Sequence, residues 1–173
     1  MYKKILLATD GSRHIDRAAS IIIGLYKKWG SQIEIFHSVK HMLERISPPS
    51  HGLTVPYAAD TFFSGASTTT PVLIKEEVPS NIKRLSDLEV QQIGESILSD
   101  TKAIFEEVQV PAKTHLVTKD YPEDFIRRMV KKKKFDLVVV GIKGVHSKLS
   151  QIFLGSVAEN VVKNTSCDVL VIR

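Results

Sequence analysis

The chain has 173 residues, of which 43% are hydrophobic and 25% charged, a composition typical of a soluble globular protein with an adequate core. No segment approaches the roughly 20 apolar residues that span a bilayer, and the apolar run at residues 5–8 is too short for a signal peptide. We therefore expect a cytoplasmic protein with no membrane partner. The single Cys167 excludes an intrachain disulfide, and the net charge of +5 suits a phosphorylated ligand.

The N-terminal part of the chain predicts a strand, a helix and a second strand. Residues 2–9 are mostly apolar and end in a polar corner, as expected of a strand that is buried on both faces. Residues 13–29 carry apolar side chains at helical spacing, and Gly30 is a suitable stop for that helix. Residues 33–38 predict the second strand, which completes a right-handed βαβ unit.

Regular periodicity is lost between about residues 40 and 85. Five of the seven prolines fall in this stretch, together with many serines and threonines. A structureless stretch of this length is unusual inside a compact domain, where it is either functional or disordered. We therefore expect a single domain over residues 1–173 with a flexible insertion at about 40–85. That insertion would serve as a lid over a site or as a docking arm for a partner.

The second half of the chain alternates helices with strands. The predicted elements are a helix from about residue 86 that Pro111 stops, a strand at 114–118, a helix from Pro122 to the lysines at 131–134, a strand at 136–140, a helix at 156–163 and a strand at 169–172. This alternation predicts an α/β fold with a five-stranded, parallel, doubly wound (Rossmann-like) sheet and helices on both faces.

Two corners of the predicted sheet carry residues suited to an anionic ligand. In an open parallel sheet, ligands bind beyond the carboxyl ends of the strands, where the strand order reverses. The first strand ends in Thr9-Asp10-Gly11-Ser12 and the fourth in Gly141-Ile142-Lys143-Gly144. Glycines let the backbone approach a ligand closely, and a helix that begins at Ser156 would offer unpaired N–H groups to phosphate. The same glycines would also suit plain turns, so spacing alone leaves both interpretations open.

Other functional classes find less support in the sequence. The lysines at 131–134 end a predicted helix, where cations are favoured by the helix dipole, and no familiar nucleic-acid module is present. We therefore do not expect a nucleic-acid partner. The GxxxxGK[ST] pattern of P-loop proteins is absent. Asp10 lacks the adjacent acidic residues that would hold Mg²⁺ in a response-regulator phosphoacceptor site.

Four segments of the sequence together resemble one known family. They are LATDGS at the end of the first strand, GIKG at the end of the fourth, LGSVAENVV at the start of the last helix and CDVLVIR in the last strand. These segments are similar to those of the universal stress proteins, and the resemblance covers the chain outside residues 40–85. The family pattern places about nine residues between G-x2-G and G-S, whereas this chain has ten, residues 145–154. By resemblance, the retained glycines put the chain with the ATP-binding members.

The resemblance implies a nucleotide between the ends of the first and fourth strands. Asp10 would meet the ribose or adenine side, and Ser38 would touch adenine. Gly155 and Ser156 would hold the β- and γ-phosphates through backbone N–H groups and the hydroxyl. The full set of candidate binding residues is Thr9, Asp10, Ser12, Ser38, Gly141, Lys143, Gly144, His146, Gly155, Ser156 and Val157.

Several members of that set belong to the glycine loop that follows the fourth strand. Gly141 and Gly144 would line the ribose and phosphates, and Lys143 would add a positive charge there. His146 is a candidate phosphate contact, although a lone histidine in a loop is more often simply exposed. No acidic pair suited to Mg²⁺ stands beside the glycines, so Mg²⁺ would be bound mainly by the phosphates and water.

Three functions follow, in decreasing order of support. The first is an ATP-binding stress-response or regulatory protein, with AMP or ADP as alternative ligands, that acts as a switch with little or no turnover. The second is a homodimeric interaction module of the same fold that binds no nucleotide, and the third is a slow ATPase. In the first two cases we expect a homodimer formed through the strand at residues 169–172, because an exposed apolar edge strand favours pairing. The protein partners are not identified by the sequence.

Overall fold

The computed structural model describes residues 1–46, 85–142 and 154–173. In these ranges it has the strands β1 (Lys4–Ala8), β2 (Gln32–Ser38), β3 (Ala112–Val117), β4 (Leu137–Gly141) and β5 (Asp168–Ile172), and the helices α1 (His14–Trp29), α2 (Lys40–Ile46), α3 (Asp87–Glu106), α4 (Pro122–Lys133) and α5 (Ser156–Asn164). The five strands form one sheet in the order β3-β2-β1-β4-β5, and every pair of neighbours is parallel. The predicted Rossmann-like α/β sheet is therefore confirmed.

The central strands β1 and β4 are buried on both faces of the sheet. Alternate residues of β1 point to opposite sides, because side chains alternate along a strand. Ile5 and Leu7 join the core cluster that includes buried residues of α1 and α3. Leu6 joins the opposite cluster, which includes buried residues of α4 and α5. This two-sided burial explains why β1 and β4 appear in the sequence as nearly continuous apolar runs.

The strand order reverses next to β1, at the centre of the sheet. The chain adds β2 and β3 on one side of β1 and then returns to add β4 and β5 on the other. The carboxyl ends of β1 and β4 therefore flank the switch point, where open α/β sheets bind their ligands. The last strand, β5, lies at one edge of the sheet.

The helices begin and end at residues with a clear local cause. Gly30 ends α1 with φ of +65°, in the left-handed region, and donates its N–H to the carbonyl of Tyr26 at 2.7 Å. Pro122 begins α4, where a missing N–H costs no helical hydrogen bond. Both features match the sequence prediction. No helix within the described ranges is both long enough and apolar enough to cross a membrane.

Helix α2 occupies the start of the segment that was predicted to be an irregular insertion. Its first turn is closed by the N–H of Leu43, which donates to the carbonyl of Val39 at 2.9 Å. Glu44 pairs with Lys40 at 3.1 Å and accepts a hydrogen bond from the hydroxyl of Tyr121, at the start of α4, at 2.5 Å. The prediction was therefore wrong for residues 40–46. The rest of the predicted insertion, residues 47–84, lies outside the described residues.

Candidate functional site

The corner that follows β1 is shaped by hydrogen bonds from its own side chains. Asp10 Oδ1 accepts the backbone N–H of Ser12 at 3.0 Å, which is the geometry of an Asx turn. Thr9 Oγ1 accepts the backbone N–H of Gly11 at 3.4 Å. Gly11 has φ of +75°, a left-handed conformation that glycine adopts without strain. The turn thus holds the Asp10 carboxylate at the carboxyl end of the central strand.

Two buried polar residues, His37 and Thr101, form hydrogen bonds to Thr9 in this corner. The hydroxyls of Thr9 and Thr101, in α3, share a hydrogen bond of 3.2 Å, and His37 Nδ1 lies 2.7 Å from the carbonyl oxygen of Thr9. Both His37 and Thr101 are buried. Sequence reasoning missed them. The available signal for Thr101 was its place between Leu98 and Phe105 on the buried stripe of α3, where a polar side chain needs a partner.

Ser38 joins the end of β2 to the connection between β3 and α4. Its hydroxyl donates to the carbonyl of Asp120 at 2.8 Å and accepts the N–H of Lys40 at 3.4 Å. The neighbouring link between Tyr121 and Glu44 adds to the same connection. The hydrogen bond from Tyr121 lowers the pKa of Glu44, and the same bond raises the pKa of Tyr121. The predicted contact of Ser38 with adenine stays a prediction, and the structure assigns this hydroxyl a structural role.

The corner that follows β4 brings two distant glycines into one place. Ile142, directly after Gly141, donates its N–H to the carbonyl of Ile172 at 2.7 Å. Gly155 donates its N–H to the carbonyl of Ile142, also at 2.7 Å. The chain therefore returns to the end of β4 at the residue that precedes α5. The predicted residues Lys143, Gly144 and His146 fall between these points, outside the described residues.

Helix α5 begins at this second corner without a side-chain cap. Its N-cap is Gly155, which has no side chain to accept the N–H groups of the first turn. The acidic residue of its first turn is Glu159, while Ser156 and Val157 occupy the first two helical positions. In an α-helix the first N–H groups have no partner within the helix and carry its positive dipole end. This terminus can therefore donate hydrogen bonds to an anion.

A small crevice lies beside the β1 corner, between the ends of β1 and β4 and the start of α1. Its lining includes four of the predicted residues, Thr9, Asp10, Ser12 and Gly141, together with His14 and Ile172. The structure therefore brings these four residues together. The crevice has room for about one water molecule, about 10 Å³, so a larger ligand would lie over its mouth.

The described residues do not form an evident metal centre. In residues 1–46, 85–142 and 154–173, no group of three or more histidine, cysteine, aspartate or glutamate side chains is placed to hold a metal ion. The chemistry that this site offers is therefore hydrogen bonding from backbone N–H groups at one corner and a carboxylate with hydroxyls at the other.

Comparison with known proteins places the chain in a family. The model of the Universal stress protein family matches residues 1–173. The chain belongs to the universal stress protein family. A universal stress protein of Methanocaldococcus jannaschii is 31% identical over 173 residues, which is 100% of this chain and 83% of the relative.

Solved structures of universal stress proteins share this fold. One is the protein from Archaeoglobus fulgidus in complex with dAMP, with a TM-score of 0.61 and 18% identity over 99% of this chain and 98% of that one. Another is a family protein from Arabidopsis thaliana with AMP bound, with a TM-score of 0.52 and 16% identity over 98% of this chain and 90% of that one. At such identities the likeness concerns the fold, a five-stranded parallel sheet with helices.

Proposed function

We propose that this universal stress protein binds an adenine nucleotide, ATP or else ADP or AMP, across the carboxyl ends of β1 and β4. The observation that carries the proposal is the hydrogen bond from Gly155 N–H to the carbonyl of Ile142. That contact puts the uncapped N-terminus of α5 beside the end of β4, at the switch point of the sheet. The relatives solved with dAMP and AMP support an adenine nucleotide as the ligand class.

The two corners suit the two ends of a nucleotide. The phosphates would lie against α5, where the N–H groups of Ser156 and Val157 and the Ser156 hydroxyl would donate to them. The ribose would lie nearer β1, where the Asp10 carboxylate can accept a hydrogen bond from a ribose hydroxyl. The nucleotide would cross the mouth of the crevice beside Gly141. Lys143, Gly144 and His146 complete the proposed set from outside the described residues.

The protein would act as a nucleotide-responsive regulator with little or no turnover. Hydrolysis of ATP needs a residue that positions or deprotonates a water molecule, and we assign none within the described part of the chain. The described carboxylate at the site, Asp10, already accepts the N–H of Ser12. Mg²⁺ would enter with the nucleotide, held mainly by the phosphates and water, because the described residues provide no acidic cluster for it.

A thermal-shift titration tests this function directly. Purified protein is heated with ATP, ADP or AMP, each with and without Mg²⁺, and the nucleotide carried through purification is identified by mass spectrometry. Ligand at about a hundred times its Kd should stabilise the fold by about 2.7 kcal/mol. For a chain of this size that corresponds to a rise in Tm of about 5–10 °C. No shift at millimolar concentrations, with no nucleotide carried over, would overturn the proposal.

We also propose that two copies pair through β5, in line with its position at the sheet edge. Ile172 directs its carbonyl towards Ile142, on the β4 side of the strand. Because backbone groups of successive strand residues point to opposite sides, Val171 directs its N–H and C=O away from β4. Among the described residues no strand pairs with these groups, so they would pair with a second copy. An unpaired apolar edge of this kind is a hazard that pairing removes.

Val171→Pro tests the dimer without disturbing the sheet. Proline is tolerated at an edge position whose N–H faces outwards, so pairing with β4 should survive. We expect multi-angle light scattering to show a dimer for the wild type and for Val171→Ala, and a monomer for Val171→Pro. A monomeric wild type, or a dimer that proline leaves intact, would contradict this interface.

A further inference from the structure

The buried His37 forms a hydrogen bond to the chain just beyond the point where the pairing of β1 with β2 ends. The register between β1 and β2 ends at Ala8 and Phe36. Beyond it, Thr9 donates its N–H to the carbonyl of Phe36 at 3.0 Å, and its own carbonyl lies 2.7 Å from Nδ1 of His37. The His37 side chain therefore continues the connection between the two strands by one further hydrogen bond.

The geometry assigns the ring proton. A carbonyl oxygen can only accept a hydrogen bond, so Nδ1 of His37 must carry the hydrogen that it shares with Thr9. The other ring nitrogen, Nε2, is buried and has no hydrogen-bond partner within the described residues. The residue as a whole is 7% exposed. The hydrogen on Nδ1 therefore satisfies that nitrogen and the Thr9 carbonyl together.

Helix α3 holds the ring in place. A Cβ added to Gly94 would lie 3.3 Å from His37 Cδ2, and only 2.6 Å from Leu116 and 2.7 Å from Val39. Glycine thus lets α3 approach the ends of β2 and β3 closely enough to cover the imidazole. Thr101, further along the same helix, bonds to the Thr9 hydroxyl at 3.2 Å. The ring and the helix therefore act on the same residue, Thr9, from two directions.

We propose that His37 is a positioning residue for the nucleotide site, an inference that rests on the proposed function. The peptide unit that contains the Thr9 carbonyl also contains the N–H of Asp10 and is planar. A hydrogen bond that fixes this carbonyl therefore fixes where the Asp10 backbone begins. Asp10 then carries the turn that places its carboxylate and Ser12 at the crevice. His37 acts through Thr9, so it needs no contact with the ligand.

Two substitutions separate the donor from the bulk of the ring. His37→Asn keeps an amide N–H near the position of Nδ1, whereas His37→Leu fills similar space without a donor. We expect ATP affinity, measured by isothermal titration calorimetry, to fall about tenfold in His37→Leu, which corresponds to about 1.4 kcal/mol. In His37→Asn it should stay within about threefold of the wild type. Equal affinity in the wild type and His37→Leu would overturn the proposal.

Nuclear magnetic resonance provides a test that does not depend on nucleotide. The imidazole nitrogens of the wild type should show the form with hydrogen on Nδ1, and the amide signals of Gly11 and Ser12 should move in His37→Leu but less in His37→Asn. Hydrogen on Nε2 alone, or unmoved amides in His37→Leu, would overturn the positioning role. If His37→Leu fails to fold, the wild-type tautomer still decides. If the wild type binds no ATP, the proposed function fails. The tautomer and the amide signals still show whether His37 positions the turn at Gly11 and Ser12.

Discussion

Helices α3 and α5 begin in opposite ways. At the start of α3, Ser86 Oγ accepts the N–H of Glu89 at 3.2 Å, and the Glu89 carboxylate accepts the N–H of Ser86 at 2.7 Å. This capping box satisfies the N-terminus with the helix's own side chains. At the start of α5, the N-cap Gly155 has no side chain. The first acidic residue of that helix is Glu159, four positions further along.

The difference between the two termini follows from where they lie. Ser86 is exposed, so its helix starts in solvent, and a side-chain cap there serves stability alone. Gly155 is tied to the end of β4, beside the switch point of the sheet. Glycine at an N-cap is only a few tenths of a kcal/mol less stable than a capping side chain. The missing side-chain cap therefore costs α5 little, and among the described residues no side chain competes with the proposed phosphate for the first N–H groups.

Among the substitutions that test this difference between the two helices, Gly155→Asp should have the largest effect on ATP affinity. The backbone at Gly155 has φ of −63° and ψ of 154°, which any residue adopts, so a side chain introduces no backbone strain. The new carboxylate would cap α5 and repel phosphate, at about 4 kcal/mol for two unit charges about 4 Å apart near a protein surface. We expect ATP affinity by calorimetry to fall about a hundredfold or more, with Tm in the absence of nucleotide unchanged or slightly raised.

Gly155→Asn is the matched control for that experiment. Asparagine caps a helix about as well as aspartate but carries no charge. It should therefore weaken ATP binding less than aspartate does. Equal affinities in the wild type and Gly155→Asp would show that phosphate does not lie at the start of α5. Equal losses in the two variants would show that crowding, rather than charge, causes the effect.

Ser86→Ala should have a smaller effect, and on stability alone. Loss of the cap should cost about 1 kcal/mol and lower Tm by about 2–4 °C, measured by calorimetric unfolding, while ATP affinity stays unchanged. Glu89→Gln keeps an acceptor for Ser86 and removes the charge, so it should cost less, about 0.3–1 kcal/mol at low salt. A change in ATP affinity on Ser86→Ala would contradict the division of roles between the two helices.

Much of the fold could be predicted because it depends on local patterns. Apolar runs that end in polar corners predicted all five strands, with boundaries that shifted by a few residues, as in β3, which was predicted at 114–118 and is observed at Ala112–Val117. Helix α2 could not be predicted in this way. Its seven residues are too few for a clear periodicity, and its anchor, the hydrogen bond between Glu44 and Tyr121, joins residues 77 positions apart.

The residues of the candidate site differ in the same way in how far the sequence could predict them. Thr9, Asp10, Ser12 and Gly141 could be placed near one another because the carboxyl ends of parallel strands share one edge of the sheet, and in the structure all four line one crevice. Their role in binding stays a prediction. His37 and Thr101 could not be placed in this way, because a polar residue on a buried face has no identifiable partner until the packing of α3 is known. The bond from the Ser38 hydroxyl to the carbonyl of Asp120 could not be predicted either, because it joins residues 82 positions apart.

The bond between Gly155 and Ile142 also bears on how the connection from β4 to α5 can vary in length. It pins both ends of the intervening segment to the same point of the sheet, so residues added between them need not displace β4 or α5. When the two ends of a connection are held together, doubling its length adds a closure cost of only about 0.6 kcal/mol. A change of one residue in the length of this connection should therefore be nearly neutral for the stability of the fold.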